Sequence, residues 1–169
     1  MLKLFYPTYY FSHAWEITPE FLRAQGIRAV LSDLDDTLTC HDSQELAPEY
    51  AAWLARLQAE GIALCILSNN AEARIRPFCE RNGLQYTPKA KKPLRAAALA
   101  TAERLGAKPE ETLLLGDQIF TDILCGKNAG MRTAAVPPIG RKATKFLAFK
   151  RWVEKPVWRA YFRQRKEEV

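Results

Sequence analysis

Asp33-Leu34-Asp35-Asp36-Thr37-Leu38 follows a short apolar run, Ile27 to Leu31. Two acids two residues apart, where a buried strand gives out, are costly to leave unpaired. A cation or phosphate chemistry would offset that cost; a solvated acidic turn is the plain alternative. Three further polar points fall at comparable places. Ile62 to Leu67 is a second apolar run and ends in Ser68-Asn69-Asn70. Lys92-Pro93 opens an Ala/Leu-rich helix, and Thr112 to Leu115 runs into Gly116-Asp117, with Thr121-Asp122 behind it. Taken singly, Ser68 reads as a turn hydroxyl, Lys92 as a surface charge and Asp122 as a first-turn acid favoured by the helix dipole. Together they place an acid pair, a hydroxyl and an acid at the ends of three buried strands, the edge where open α/β sheets bind ligands.

The elements that must carry these groups follow from periodicity. Apolar runs of this length, bounded by turn and helix signals, suit central parallel strands. Thr18-Pro19-Glu20 starts a helix and Gly26 stops it. Further helices are expected over Pro48–Glu60, Glu72–Asn82, Pro93–Leu105 and Phe120–Ala129, with Gln85-Tyr86 a short strand and Thr133–Val136 the last one. Strands alternating with helices imply a parallel sheet. Residues 1–16 are aromatic-rich and show no clean period.

The ordered set resembles the haloacid dehalogenase superfamily over roughly Val30 to Val136: D-x-D-x-T at Asp33, Asp35 and Thr37, then Ser68, Lys92-Pro93, and G-D-x-x-x-x-D at Gly116, Asp117 and Asp122. More narrowly, the chain looks like the capless YqeG family, related to phosphatidylglycerophosphate phosphatases. Ile17-Thr18-Pro19-Glu20, Gly116-Asp117-Gln118 and Glu154-Lys155-Pro156-Val157 carry that match. The resemblance implies a Rossmann-like three-layer α/β sandwich of about five parallel strands in the order 3-2-1-4-5. It implies Asp33 as nucleophile and Asp35 as acid/base. Mg²⁺ would lie on Asp33, the Asp35 backbone carbonyl and Asp117. Thr37, Ser68, Asn69 and Lys92 would hold phosphate, with Thr37 also fixing the loop by hydrogen bonding and Asp122 orienting Lys92 or a metal-bound water. Asp36 stands where relatives usually have Gly or Asn, and is expected to face solvent. His13 and His41 read as surface histidines.

The spacers are short. Thr37 and Ser68 are separated by 30 residues and Ser68 and Lys92 by 23. Neither interval holds a cap domain of ~50 residues or more, so an open site is expected, suited to a phosphate presented by a large body.

The 169 residues, 48% hydrophobic and 26% charged, suit one soluble domain. No apolar run approaches membrane-spanning length, and the first residues lack a signal-peptide pattern. Four scattered cysteines without a C-x-x-C point to a reducing cytoplasm and no zinc site. Residues 141–169 hold ten Lys/Arg and three Glu, a net +7, which leaves residues 1–140 at −1. The expected organisation is a phosphatase domain over 1–140 and a basic helical tail over 141–169. In that tail Phe146, Phe149 and Val153 share one helical stripe, and Val157, Trp158, Tyr161 and Phe162 form another. A basic amphipathic helix with aromatics suits an anionic membrane surface, here the inner face. Packing on its own domain, against the aromatic N-terminus, is the alternative. The leading function is a Mg²⁺-dependent phosphomonoesterase acting on a phosphorylated substrate, with a phospholipid head group such as that of phosphatidylglycerophosphate preferred. The alternatives are a soluble nucleotide or sugar phosphatase, or an RNA-binding module with a vestigial site. The sequence leaves the physiological substrate and the oligomeric state open.

Overall fold

A computed structural model describes residues 2–140 and 145–167. Six parallel strands form one sheet: β1 (Tyr9–Tyr10), β2 (Ala29–Ser32), β3 (Ala63–Leu67), β4 (Gln85–Thr87), β5 (Thr112–Gly116) and β6 (Arg132–Ala135), in the order β1-β6-β5-β2-β3-β4. Five of them reproduce the expected order. The sixth, β1, comes from the aromatic N-terminal segment and pairs Tyr9 and Tyr10 with Ala134 and Ala135.

Alternation along the strands builds two cores. Val30, Ile66, Leu113 and Leu115 face one side, where Leu22 of α1 (Pro19–Ala24), Trp53 and Leu57 of α2 (Pro48–Ala59) and Phe78 of α3 (Glu72–Arg81) cover them. Leu31, Cys65, Leu67 and Leu114 face the other, under Ala98 and Ala102 of α4 (Ala96–Arg104) and Cys125 of α5 (Leu124–Asn128). Both faces of the central strands are buried, which is why their sequences read as continuous apolar runs.

Two helices depart from the periodicity at the strand ends. α4 begins at Ala96 rather than Pro93, because the Lys92 backbone is bonded to Asn69: Lys92 N–H donates to Oδ1 at 2.7 Å, and Nδ2 donates to the Lys92 carbonyl at 3.0 Å. The helix expected over Phe120–Ala129 opens as a π turn, Ile119–Ile123, before α5. Single π turns inside helices recur at functional sites, and this one carries Asp122.

The chain runs β2-β3-β4 to one side and then β5-β6 to the other, so the strand order reverses between β2 and β5. Asp33 N–H donates to the Leu115 carbonyl at 2.8 Å, joining the two strands at that reversal. The Thr37–Ser68 interval holds a loop, α2 and β3; the Ser68–Lys92 interval holds α3 and β4. No cap lies in either.

Candidate active site

Asp33 ends β2 and is buried. Lys92 Nζ lies 2.8 Å from its Oδ1 and 2.7 Å from Asp122 Oδ1, with all three side chains buried. Burial alone would depress the Lys92 ammonium, but the carboxylates of Asp122 and Asp33 hold it above the usual lysine range. Burial raises Asp122, against the pull of Lys92. Asp122 also accepts the Gln118 N–H at 3.1 Å through Oδ2, which fixes its direction. Asp117 ends β5. Burial, then repulsion from Asp122 and Asp33, pushes its carboxyl well up. Its Oδ1 is buried without a hydrogen-bond partner.

Carboxylate oxygens of Asp33, Asp117 and Asp122 can meet within 4.8 Å of one another. An unpartnered oxygen among crowded, desolvated carboxylates fits a cation, and an all-oxygen donor set fits Mg²⁺. Both Asp122 oxygens are approached, Oδ1 by Lys92 and Oδ2 by the Gln118 N–H, whereas Lys92 meets Asp33 through Oδ1, so Asp33 and Asp117 are the side chains suited to ligate. The Asp35 side chain is not in this cluster; its expected contribution is the backbone carbonyl.

Gly116 is required by Asp122. A Cβ at 116 would fall 2.3 Å from the Asp122 carboxyl carbon and 2.3 Å from its Oδ2. Gly116→Ala should therefore displace Asp122 from Lys92, lowering stability by ~1–3 kcal/mol and weakening turnover. A variant with the wild-type melting temperature and rate would show that Asp122 moves freely.

Asp35 points away from the acidic cluster. Arg74 Nη2 lies 2.6 Å from its Oδ1, and Asn70 Nδ2 donates to its Oδ2 at 2.5 Å. Burial raises the Asp35 carboxyl; Arg74 opposes this and Asp33 adds to it. Arg74 also donates to the carbonyls of His41 at 3.2 Å and Ser43 at 3.1 Å, binding the loop after the acidic motif to α3. Ser68 ends β3, and its Oγ accepts the Asn70 N–H at 3.1 Å. Ser68, Asn69, Asn70, Lys92, Gln118 and Thr121 line the cleft with Asp33, Asp35 and Asp122.

Two expectations need correction, those for Thr37 and Asp36. Thr37 lies outside the cleft lining, and its buried hydroxyl has no hydrogen-bond partner; its N–H donates to the Leu34 carbonyl at 3.2 Å, so the loop is held through the backbone. Asn69 lines the cleft, and its amide also clamps the Lys92 backbone with both ends. Asp36 does not face solvent: it is 2% exposed and its Oδ2 lies 2.9 Å from Arg151. Its φ of 62° is left-handed, a conformation that Gly, Asn and Asp tolerate best. His41 is half-exposed, 4.0 Å from Asp36 Oδ1.

The long helix α6 (Lys145–Glu167) runs through Pro156 without a break and docks on this region. Arg151 reaches Asp117 Oδ2 at 3.2 Å as well as Asp36. Glu154 accepts the Phe120 N–H at 3.1 Å, and burial pushes its carboxyl up to about 7. Leu147 and Lys150 join the cleft wall. Val157 and Tyr161 are buried, and Tyr6 and Tyr10 pack edge-on against Tyr161 and Trp158, so the tail and the aromatic N-terminus meet. The Phe149–Val153 stripe points outward, and the Phe146 side chain lies outside the described residues. Arg74 and Arg151 escape the motif reading. A faint sign for Arg74 is a cation in the first turn of α3, where the helix dipole disfavours one.

The chain is similar in sequence and fold to known proteins. The haloacid dehalogenase-like hydrolase family matches residues 5–130. YqeG of Bacillus subtilis, named as a probable phosphatase, is 32% identical over 162 residues, spanning 96% of this chain and 94% of its own. Phosphatidylglycerophosphate phosphatase 1 of Arabidopsis thaliana is 24% identical over 160 residues, 83% of this chain but only 45% of the plant protein. Among solved structures, a subfamily IIIA hydrolase from Legionella pneumophila superposes with a TM-score of 0.54 at 24% identity, covering 70% of this chain and 71% of its own. The cobalt-bound deoxy-D-mannose-octulosonate 8-phosphate phosphatase of Haemophilus influenzae does so with a TM-score of 0.54 at 19% identity, covering 65% and 69%. With a family match over most of its length and a relative that aligns almost end to end, the chain belongs to the haloacid dehalogenase-like hydrolases.

Proposed function

We propose that this hydrolase is a Mg²⁺-dependent phosphomonoesterase that works through an aspartyl phosphate on Asp33. The observation that carries the reading is the buried row Asp33–Lys92–Asp122 beside the unpartnered oxygen of Asp117. Asp33 attacks phosphorus, forming the O–P bond as the bond to the leaving oxygen breaks. Asp35 gives that oxygen its proton and later takes one from the attacking water. Lys92 steers Asp33 through one carboxylate oxygen and offsets charge on the transferring group. Ser68 has spent an acceptor lone pair on Asn70, so its proton is available to a phosphoryl oxygen. Mg²⁺ held by Asp33, Asp117 and the Asp35 carbonyl would screen the phosphate's charge from the attacking carboxylate.

A lipid phosphate such as phosphatidylglycerophosphate is the favoured substrate, on the plant relative's name and the capless cleft. The test is phosphate release from phosphatidylglycerophosphate in mixed micelles and from soluble nucleotide and sugar phosphates, with Mg²⁺ or with EDTA. Hydrolysis only with Mg²⁺ and fastest on the lipid is expected. Release from soluble esters alone would reassign the substrate, and equal rates in EDTA would end the metal reading.

The outer face of α6 supports peripheral contact with an anionic membrane. Phe149 and Trp152 are 60% and 63% exposed, beside the exposed Lys155, Arg159, Arg163 and Lys166. Trp158 is packed on Tyr10 and is not the ring to insert. Among the described residues no helix is long and apolar enough to cross a membrane. The full chain should sediment with anionic vesicles more than with neutral ones, and less so in high salt, because surface attraction is screened over ~8 Å at physiological ionic strength. Replacing Phe149 and Trp152 with Ser should cut binding severalfold and spare activity on a soluble ester. Failure to bind either vesicle, alongside tight RNA binding, would favour the nucleic-acid alternative.

A further inference from the structure

Arg151 approaches the site from α6, 34 residues beyond Asp117. A single nitrogen of its guanidinium serves two buried acids, Asp117 Oδ2 at 3.2 Å and Asp36 Oδ2 at 2.9 Å. The opposite oxygen of Asp117 is the unpartnered one. Arg151 therefore holds Asp117 from behind, while Oδ1 is left for a cation. Asp33, Asp36, Asp117 and Asp122, when ionised, set four negative charges against the two positive ones of Lys92 and Arg151. A divalent cation would offset the repulsion among these acids, and Glu154, also buried, lies within electrostatic reach of Arg151 and Asp122.

We propose that the Asp36–Arg151 pair tunes the metal site: Arg151 is a positioning residue that shares Asp117 with the divalent cation, and Asp36 moderates how strongly its charge opposes that cation. The inference rests on the metal reading given above. Like charges a few ångströms apart in a buried group repel with little screening, so each half of the pair acts on metal affinity with its own sign. Arg151 weakens it; Asp36 strengthens it. The pair also ties α6 to the metal site, so metal binding and the docking of α6 are linked reciprocally.

Calorimetric titration of the metal-stripped full-length chain with Mg²⁺ tests this without reference to turnover. Arg151→Gln should tighten Mg²⁺ at least threefold, and Asp36→Asn should weaken it at least threefold. Arg151→Lys keeps the charge and should stay within twofold of wild type. If the pair only fastened α6, both neutral variants would break the same contact and shift affinity in the same direction. A shared direction, or no shift in either, overturns the proposal. Partial unfolding cannot imitate the expected pattern, since it would weaken binding in both. Asp117→Ala in the same titration separates the two readings. If wild type takes up no Mg²⁺, or Asp117→Ala binds like wild type, the metal reading itself fails and the tuning falls with it. If Asp117→Ala loses binding while the pair variants do not part, only the tuning fails.

Discussion

Asp33→Asn is expected to lower kcat by at least ~10⁴-fold, the scale seen when a nucleophile is removed, while the protein stays folded. The amide matches the carboxylate in size and keeps an acceptor for Lys92 Nζ, now 2.8 Å from Oδ1. Lys92 also retains Asp122 at 2.7 Å. One negative charge fewer beside Asp117 and Asp122 relieves repulsion, so the melting temperature should hold or rise. Lys92→Met is the informative contrast. It leaves Asp33 and Asp122 buried with no cation between them, and removing one partner of a buried pair typically costs ~3–5 kcal/mol. Activity and stability should thus separate at Asp33 and fall together at Lys92. Near-wild-type turnover in Asp33→Asn would end the covalent mechanism. A large drop in its melting temperature would mean that the carboxylate is needed for the fold as well as for the reaction.

That separation reflects which parts of the site are legible in the chain. Strands β2, β3 and β5 are readable because each is buried on both faces and stops at a polar residue. Asp33, Ser68 and Asp117 then fall at strand ends on one sheet edge, while only the family resemblance implies that Asp122 orients Lys92 or a metal-bound water. β1 is not readable, since two half-buried tyrosines have no period to detect. Asp36 misleads because a left-handed turn leaves no mark on composition, and its partner lies 115 residues away. Arg151 is hidden for a related reason. The docked face of α6 runs Arg151, Glu154, Val157, Tyr161, so two of its four positions are charged. Hydropathy marks Val157 and Tyr161 on the docked face and Phe149 and Val153 on the outward one, but it passes over Arg151 and Glu154. Pairings across long separations are decided by how α6 and the first motif loop pack, and hydropathy along one helix does not contain that information.

Asp35→Asn should lower turnover by ~10²–10⁴-fold, the usual contribution of a positioned general acid/base, with little change in Mg²⁺ affinity, because its side chain lies outside the acidic cluster. Its tuning gives a sharper test through Arg74. Burial raises the Asp35 carboxyl, and Arg74, 2.6 Å away, holds it down. Arg74→Met removes that restraint, so the carboxyl should titrate at higher pH. The acid form donates to the leaving oxygen, and raising its pKa keeps that form populated further into the alkaline range. The alkaline limb of kcat/KM should therefore move to higher pH in Arg74→Met and vanish into a low, flat profile in Asp35→Asn. Arg74 also binds the carbonyls of His41 and Ser43, so its loss alone would lower the rate by loosening the loop. Loosening scales the whole profile without moving its limbs. An unmoved alkaline limb in Arg74→Met, together with a loss of only a few fold in Asp35→Asn, would reassign the general acid to another group in the cleft.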